Sequence, residues 1–377
     1  MQSEACDVRT VETDGDLAAF LDVPARVYQG DPHWVSPLRS DVAKQFQPSN
    51  SFFQYGRMQQ TIAVNAAGMA VGRVVAAVNE RLVEREGRSV GVVGFFECTD
   101  NLEIARQLLD EACAWLKDQG MELARGPINF STHNSCLFLA DGFDSQPHVM
   151  MPYNPAYYPT FFRQLGWENV KEAYAYHLPL DRPLDRIYER GYRVALKAGI
   201  TFRPLNTKGD GFLADCRAFY RLFTRAFVNN WSSSERSEAE FLEEAQSLRS
   251  LVDPDIFWIA EDDGEMVGLF LALPDYNIPL KQVGGRLNAV GILKFLWFRR
   301  QIDRARVLAI ASLPEYRRKM VPLALIHLGM TGATQKRRPY RSAELSWVYD
   351  DNWPSRKVIE ATGAQIYKTY CMFEKPL

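Results

Sequence analysis

At 377 residues the chain exceeds what one hydrophobic core usually organises, so two domains are expected. Its 47% hydrophobic content, 12% aromatic content and formal net charge of −2 are those of an ordinary globular protein; a binder of nucleic-acid backbone would be more basic, and no nucleic-acid partner is expected. The start, MQSEACDVRT, lacks a cationic and apolar leader, and no stretch approaches the roughly 18–20 apolar residues that span a bilayer, so a cytoplasmic location is expected. Six scattered cysteines without a C-x-x-C pair suit reduced thiols. The five histidines have no metal-ligand spacing, and neither G-x-x-x-x-G-K-[ST] nor G-x-G-x-x-G stands between a strand and a helix, which disfavours zinc, nucleoside-triphosphate and dinucleotide chemistry.

In chain order, Val8-Arg9-Thr10-Val11 predicts a strand, and Gly15-Asp16 opens a helix. Ile62-Ala63-Val64 and Val71-Gly72 flank a glycine turn as a hairpin. The apolar strand Gly91–Cys98 leads into a helix with Leu102, Ala105, Leu108, Leu109, Ala112 and Leu116 at helical spacing, and Asp100 and Glu103 are placed as its capping pair. A strand over Leu123–Phe130, the long segment Ser131–Pro155, a helix ending at Gly166 and a closing strand through Lys171 complete the pattern. The same order then repeats: Phe202-Arg203-Pro204-Leu205, a helix from Gly209-Asp210 through Phe227, a hairpin around Gly264, the strand Val307–Ser312, a helix after Pro322, a strand over Ala343–Val348, and Gly363…Lys368. The polar, proline-bearing stretch Leu180–Asp185 separates the copies. The expected domains are therefore 1–180, a linker or connecting helix over 181–198, and 199–377.

This order of elements, and the ending Glu344-Leu345-Ser346-Trp347-Val348…Asp351-Asn352-Trp353…Gly363-Ala364…Tyr367-Lys368, resembles the GNAT acyltransferases. The runs Gly94-Phe95-Phe96-Glu97, Gly126-Pro127-Ile128-Asn129-Phe130-Ser131-Thr132 and Met150-Met151-Pro152-Tyr153-Asn154-Pro155 are similar to those of a bacterial group of two-domain GNAT-like proteins. The resemblance implies an α/β (α+β) fold of two tandem GNAT-like domains, each a mixed, mostly antiparallel sheet flanked by helices. It also implies acyl-CoA as co-substrate, transfer of the acyl group to an amine, and no metal.

In GNAT enzymes the loop after the fourth strand and the following helix N-terminus hold the coenzyme A pyrophosphate, because unpaired helix amides and the macrodipole favour phosphate. The candidate here is Leu313–Pro322, with Ser312, Leu313, Arg317, Arg318, Lys319, Val321 and Asn352 assigned to the cofactor. Met320 and Pro322 stand where the family has small residues, so the three basic side chains are expected to compensate, and Pro322 to open the helix at its first position. The first copy has Glu97-Cys98-Thr99-Asp100-Asn101 at this place, a poor phosphate cradle. One cofactor site is expected, in the second copy, with the first copy shaping the acceptor pocket.

An amine with a pKa near 10.4 is neutral in only about one molecule in a thousand at pH 7, so a general base is expected. Glu97, Glu344 and His133 are the candidates; the alternatives are that Glu344 pairs with an arginine inside the sheet, Glu97 caps the next helix and His133 bonds within its own loop. The family's usual tyrosine acid is replaced by Phe162 and Ile359, leaving Tyr153, Tyr157 or Tyr349 as a displaced acid. Asn129, Ser131, Asn154, Trp231 and Trp347 are assigned to the acceptor, with Asn230 and Ser232–Ser234 as further lining. The segment 287–300 combines an apolar helical face with Arg286, Lys294, Arg299 and Arg300; it suits either a core helix or a peripheral contact with a membrane surface. In the second case the acceptor is a lipid amine, in keeping with a resemblance to bacterial acyltransferases of sphingoid-type amines. Rival readings are a non-catalytic GNAT-like ligand- or partner-binding protein and an aminoacyl-tRNA-dependent transferase.

Overall fold

A computed structural model describes residues 6–226 and 231–377. The first half runs β1 (Asp7–Thr10), α1 (Asp14–Val27), α2 (Arg39–Lys44), β2 (Gly56–Val64), β3 (Ala70–Asn79), α3 (Glu80–Glu86), β4 (Val90–Cys98), α4 (Leu102–Asp118), β5 (Leu123–Gly126), β6 (Phe138–Asp141), α5 (Tyr157–Gln164) and β7 (Glu168–Pro179). The connecting helix α6 (Arg186–Lys197) leads into the second: β8 (Thr201–Pro204), α7 (Gly209–Ala226), α8 (Glu238–Leu248), β9 (Phe257–Asp262), β10 (Glu265–Pro274), α9 (Asn277–Val283), α10 (Ala289–Phe298), β11 (Arg304–Ser312), α11 (Val321–Thr334), β12 (Ser342–Tyr349), α12 (Trp353–Glu360) and β13 (Gln365–Pro376). Phe227 and Asn230 lie outside the described residues.

Local chemistry accounts for most of these elements. In α4 the apolar positions Ile104, Ala105, Leu108, Leu109, Ala112 and Leu116 are buried on one face. Its cap is Asn101, which accepts from the amides of Glu103 and Ile104; Asp100, the expected cap, is one residue too early. Every residue of β3 is buried, because α1 and α4 both pack on it. The strand expected over Leu123–Phe130 stops at Gly126, and Phe130 has a left-handed φ of 67°.

The strands form one 13-stranded sheet in the order β1-β2-β3-β4-β5-β13-β7-β12-β11-β10-β9-β8, with β6 beside β13. Parallel pairing occurs between β4 and β5 and between β11 and β12; the other pairs are antiparallel. The closing strands are exchanged: β13 covers β5 of the first half, β7 covers β12 of the second, and β7 and β13 pair with each other. Tyr176 and Leu178 of β7 belong to the core beneath α6 and α11, while Tyr370, Cys371, Met372 and Phe373 of β13 fill the cores on the two faces of the first half.

Two further segments cross over. Residues 231–240 of the second half lie against the first: Thr132 donates to the Ser232 carbonyl at 3.1 Å and Arg81 to Glu240 at 2.8 Å. Arg125 of β5, buried, pairs with Glu86 at 2.5 Å and with Glu374 of β13 at 2.6 Å, and donates to Ser232 at 2.9 Å. Arg125→Ala leaves two carboxylates without their buried countercharge, so it should cost about 3–5 kcal/mol in urea denaturation. Because Arg125 ties both halves together, the loss should appear in a single unfolding transition rather than in one half alone.

Candidate functional site

Parallel strands joined by a helix separate toward their C-terminal ends, and the gap is where a ligand can enter a sheet. In the first half β4 and β5 part after Val92 and Arg125, and the gap is filled by the chain itself. Asn129 Oδ1 accepts the Phe95 amide at 2.7 Å at a bulge in β4. Gly94 is required there, since a Cβ would lie 2.1 Å from the Ile128 carbonyl oxygen. The amides that open α4 are taken by the Asn101 cap. The chain fills this gap, and its helix is capped at the Glu103 and Ile104 amides.

The second half differs. β11 and β12 part after Val307 and Leu345, and beneath the middle of α11 and α12 lies a narrow apolar cleft of only about 10 Å³, lined by Val307, Ile310, Leu345, Ile326 and Val358. α11 begins at Val321 with no side-chain cap; Met320, at φ 61°, is the N-cap, and Pro322 takes the second helical position rather than the first. The amides of Lys319 and Met320 close turns onto Tyr316 and Arg317, so the donors left at this terminus are Val321 and Leu323. Arg317 and Arg318 are exposed, but Lys319 is held by Asp262 at 2.8 Å. Ser312 pairs with Gly268 in the sheet, Leu313 donates its amide to Val267, and Asn352 caps α12 through the Ser355 amide.

At the base of this cleft, on the opposite face of the sheet from α11, stands a buried polar cluster that sequence reasoning identified only in part. Glu344 of β12 is fully buried; its Oε2 lies 3.1 Å from His148 Nδ1 and accepts from the Tyr367 hydroxyl, and its Oε1 accepts from Ser346 Oγ and stands 3.8 Å from Arg306 Nε. Burial alone would raise this carboxyl, but His148 and Arg306 hold it down to about 2. The arginine pairing anticipated as the alternative for Glu344 is therefore present. His148 arrives from the long 131–155 segment, which the second half clamps: Val149 N donates to Asp275 at 2.8 Å, Arg306 donates to the Val149 carbonyl at 2.9 Å, and Lys368 donates to the carbonyls of Gly142 and Ser145. Beside the cluster is a cavity of about 710 Å³, within the size range of small-molecule sites, whose walls include His148, His177, Arg304, Tyr367 and Asp144. Leu178, Met330 and Thr362 line both the cavity and the apolar cleft, so the two adjoin.

The other expected residues fall elsewhere. His133 Nε2 lies 2.8 Å from the Ser234 carbonyl, which only accepts, so this nitrogen carries the proton; burial pushes its pKa down to about 4. It is a neutral clamp on the crossing segment, bonded not to its own loop but to the other half. Ser131 Oγ accepts the His133 amide, and Asn154 is fully engaged with Leu139 and Pro155. Trp231 lies edge-on to Tyr349, with Arg125 4.6 Å from its ring, and Trp347 packs on the same tyrosine. Tyr153 donates to Asp31 and Tyr157 to the Cys98 carbonyl; burial raises both phenols. Of the residues expected at the site, only Glu344 reaches the cavity cluster. His148, His177 and Tyr367 were not assigned; the unusual length of the 131–155 segment pointed toward His148, Tyr367 stood in the closing motif without a role, and His177 carried no signal.

No family model matches the chain. It is 28% identical over 375 residues to the bacterial ceramide synthase of Caulobacter vibrioides, covering 97% of this chain and 96% of that protein. It is 27% identical to Protein YghO of Escherichia coli, covering 98% and 95%. Among solved structures, a tandem GNAT protein from the clavulanic acid biosynthesis pathway superposes with a TM-score of 0.58 at 13% identity, over 99% of this chain and 98% of its own. A GCN5-related N-acetyltransferase from Sphaerobacter thermophilus gives 0.53 at 15% identity, over 98% and 95%.

Glu97 sits in the filled first half, 3.9 Å from Arg73 and accepting from Tyr158 at 2.7 Å. Burial outweighs both and raises it to about 6. A carboxyl raised on folding contributes its stability below the unfolded value of about 4.5 and loses it as pH rises through 6. Glu97→Gln removes a buried charge, so the stability loss between pH 4 and 7 seen in the parent should flatten by up to about 2 kcal/mol in pH-resolved melts. No flattening would place Glu97 in a better solvated setting.

Proposed function

We propose that this chain, which has the tandem GNAT fold, is an acyl-CoA-dependent N-acyltransferase with one donor site, in its second half. The contrast between the halves carries the reading. One splay is filled by Asn129 and its helix is capped, whereas the other adjoins a narrow apolar cleft under the middle of a helix whose N-terminus has no side-chain cap. Phosphates of acyl-CoA would take the Val321 and Leu323 amides with Arg317 and Arg318, and the pantetheine arm would widen the cleft, which holds only about 10 Å³, on its way toward the cavity. The co-substrate supplies an activated thioester; the protein orients it and receives the amine.

For the acceptor we propose a long-chain, sphingoid-type amine. Similarity to the bacterial ceramide synthase along nearly the whole chain supports this. So does α10, whose Val290, Leu293 and Trp297 are 60%, 69% and 64% exposed, with Gly291 its only buried residue. The core-helix alternative for 287–300 leaves those side chains unexplained, while Arg286, Lys294, Arg299 and Arg300 around them complement anionic lipid. No helix among the described residues is long and apolar enough to cross a membrane, so we propose peripheral attachment at the inner membrane surface. Soon after α10 the chain reaches Arg304 on the cavity wall, which brings the lipid surface and the acceptor cavity to the same end of the sheet.

Met320 and the Lys319–Asp262 pair favour the rival, a non-catalytic GNAT-like protein, and ligand binding separates the two. Palmitoyl-CoA at a hundredfold excess over Kd should stabilise the chain by about 2.7 kcal/mol in thermal melts. Reversing Arg317 and Arg318 to glutamate should raise KM for acyl-CoA about tenfold or more with kcat little changed. No stabilisation by any acyl-CoA overturns the reading. In vesicle sedimentation, the full chain should bind phosphatidylglycerol-containing bilayers better than purely zwitterionic ones, and Trp297→Ala with Arg300→Glu should abolish the difference. Equal binding by that variant would assign α10 to a protein partner instead.

A further inference from the structure

We propose that His148, carried across from the first half, is the general base that deprotonates the amine in the second half's site, with Glu344 as its positioning residue. This rests on the acyltransferase reading above. Three observations point to it. His148 is buried on the wall of the 710 Å³ cavity that adjoins the apolar cleft. Its Nδ1 is 3.1 Å from Glu344 Oε2, so a neutral ring places its proton on Nδ1 and its lone pair on Nε2. Nε2 has no hydrogen-bond partner among the described residues, although it is shielded from solvent. A buried polar nitrogen without a partner is costly; Nε2 is closed off from the cavity in this state, so a substrate ammonium would satisfy it once the side chains over the ring shift aside.

The other candidate bases are spoken for. Both oxygens of Glu344 are occupied, and His133 uses Nε2 as a donor. Glu97 belongs to the half whose cleft is filled. The 131–155 segment is pinned at Gly142, Ser145, Pro147 and Val149 by Lys368, Asn277, Arg306 and Asp275, so the imidazole is held by fixed backbone on both sides. The charged and titratable groups facing it are Glu344, Tyr367, His177, Arg306, Asp275 and Arg304.

In the reaction, one proton passes from the substrate ammonium to Nε2. The freed lone pair on nitrogen attacks the thioester carbonyl carbon; the C–N bond forms, the C–S bond breaks with its electron pair on sulfur, and the second nitrogen proton goes to the departing thiolate. Nε2 then gives its proton to water that enters as the amide and the free coenzyme A thiol leave.

The test is the pH profile of kcat/KM for palmitoyl-CoA and a long-chain amine, followed by thiol release. The wild-type chain should show an acidic limb that moves to lower pH on warming, because imidazole ionises endothermically whereas a carboxyl moves little. His148→Gln should lose that limb and about 10²–10⁴-fold in rate, with palmitoyl-CoA binding retained and partial rescue by added imidazole. Glu344→Gln should lower the rate and shift the limb toward acid, since the ring loses its anion; a purely structural role would lower the rate without moving the limb. A wild-type limb insensitive to temperature, or a His148→Gln variant within threefold of wild type, overturns the base assignment alone. A wild-type chain that acylates no amine overturns the acyltransferase reading as well.

Discussion

A parallel pair of strands joined by a helix leaves one outer edge without partners, and an exposed edge is a template for association. This chain contains two such edges, on β5 and β12, and covers each with the closing strand of the opposite half. Most of the remaining structure depends on that exchange. Because β7 and β13 also pair with one another, the two sheets become one, and the two faces of the first half take core residues from the last part of the chain. Arg125 is buried between Glu86 of its own half and Glu374, which comes with β13, so the exchange supplies one of its two countercharges. We propose that the division at 181–198 marks a duplication in the chain, whose products fold as interlocked units.

The exchange also explains how the halves came to differ. Once β13 and the segment around Trp231 close over the first half, its splay has no route for a ligand, and Asn129 satisfies the amide that the bulge in β4 leaves free. The first half can then contribute to the second, through the long segment that carries His148. The two crossing segments are reciprocal: 231–240 lies against the first half, and 131–155 lies against the second and lines its cavity.

How much of this was legible in the sequence follows from the range of each signal. Helix α4, the hairpins and the order of elements are written in local periodicity and turns, and these were read correctly apart from the cap one residue away at Asn101. The exchange was not legible, because β7 and β13 each follow a helix as a simple continuation would, and nothing in a strand's own pattern names its neighbour. Glu344 was found from its place in the closing motif. His148 was not, because a histidine in a loop has no periodicity and its meaning comes from Glu344, far along the chain. His133, in the same segment, looked as good in sequence; the difference between them is a carbonyl partner against a carboxylate partner, which only the fold decides.

That difference shows why the second half needs the first. The Glu344 carboxylate and the Arg306 and Arg304 guanidinium groups come from two strands of the second half, and the imidazole comes from a loop of the first. That meeting depends on the loop being held in place. The clamps from Asp275, Asn277, Arg306 and Lys368 each bond backbone rather than side chain, so they fix the position of the loop whatever its side chains do. A lone GNAT unit has no second half to hold such a loop from. By joining two units through their closing strands, the chain obtains a cavity wall to which both halves contribute and which backbone clamps hold in place.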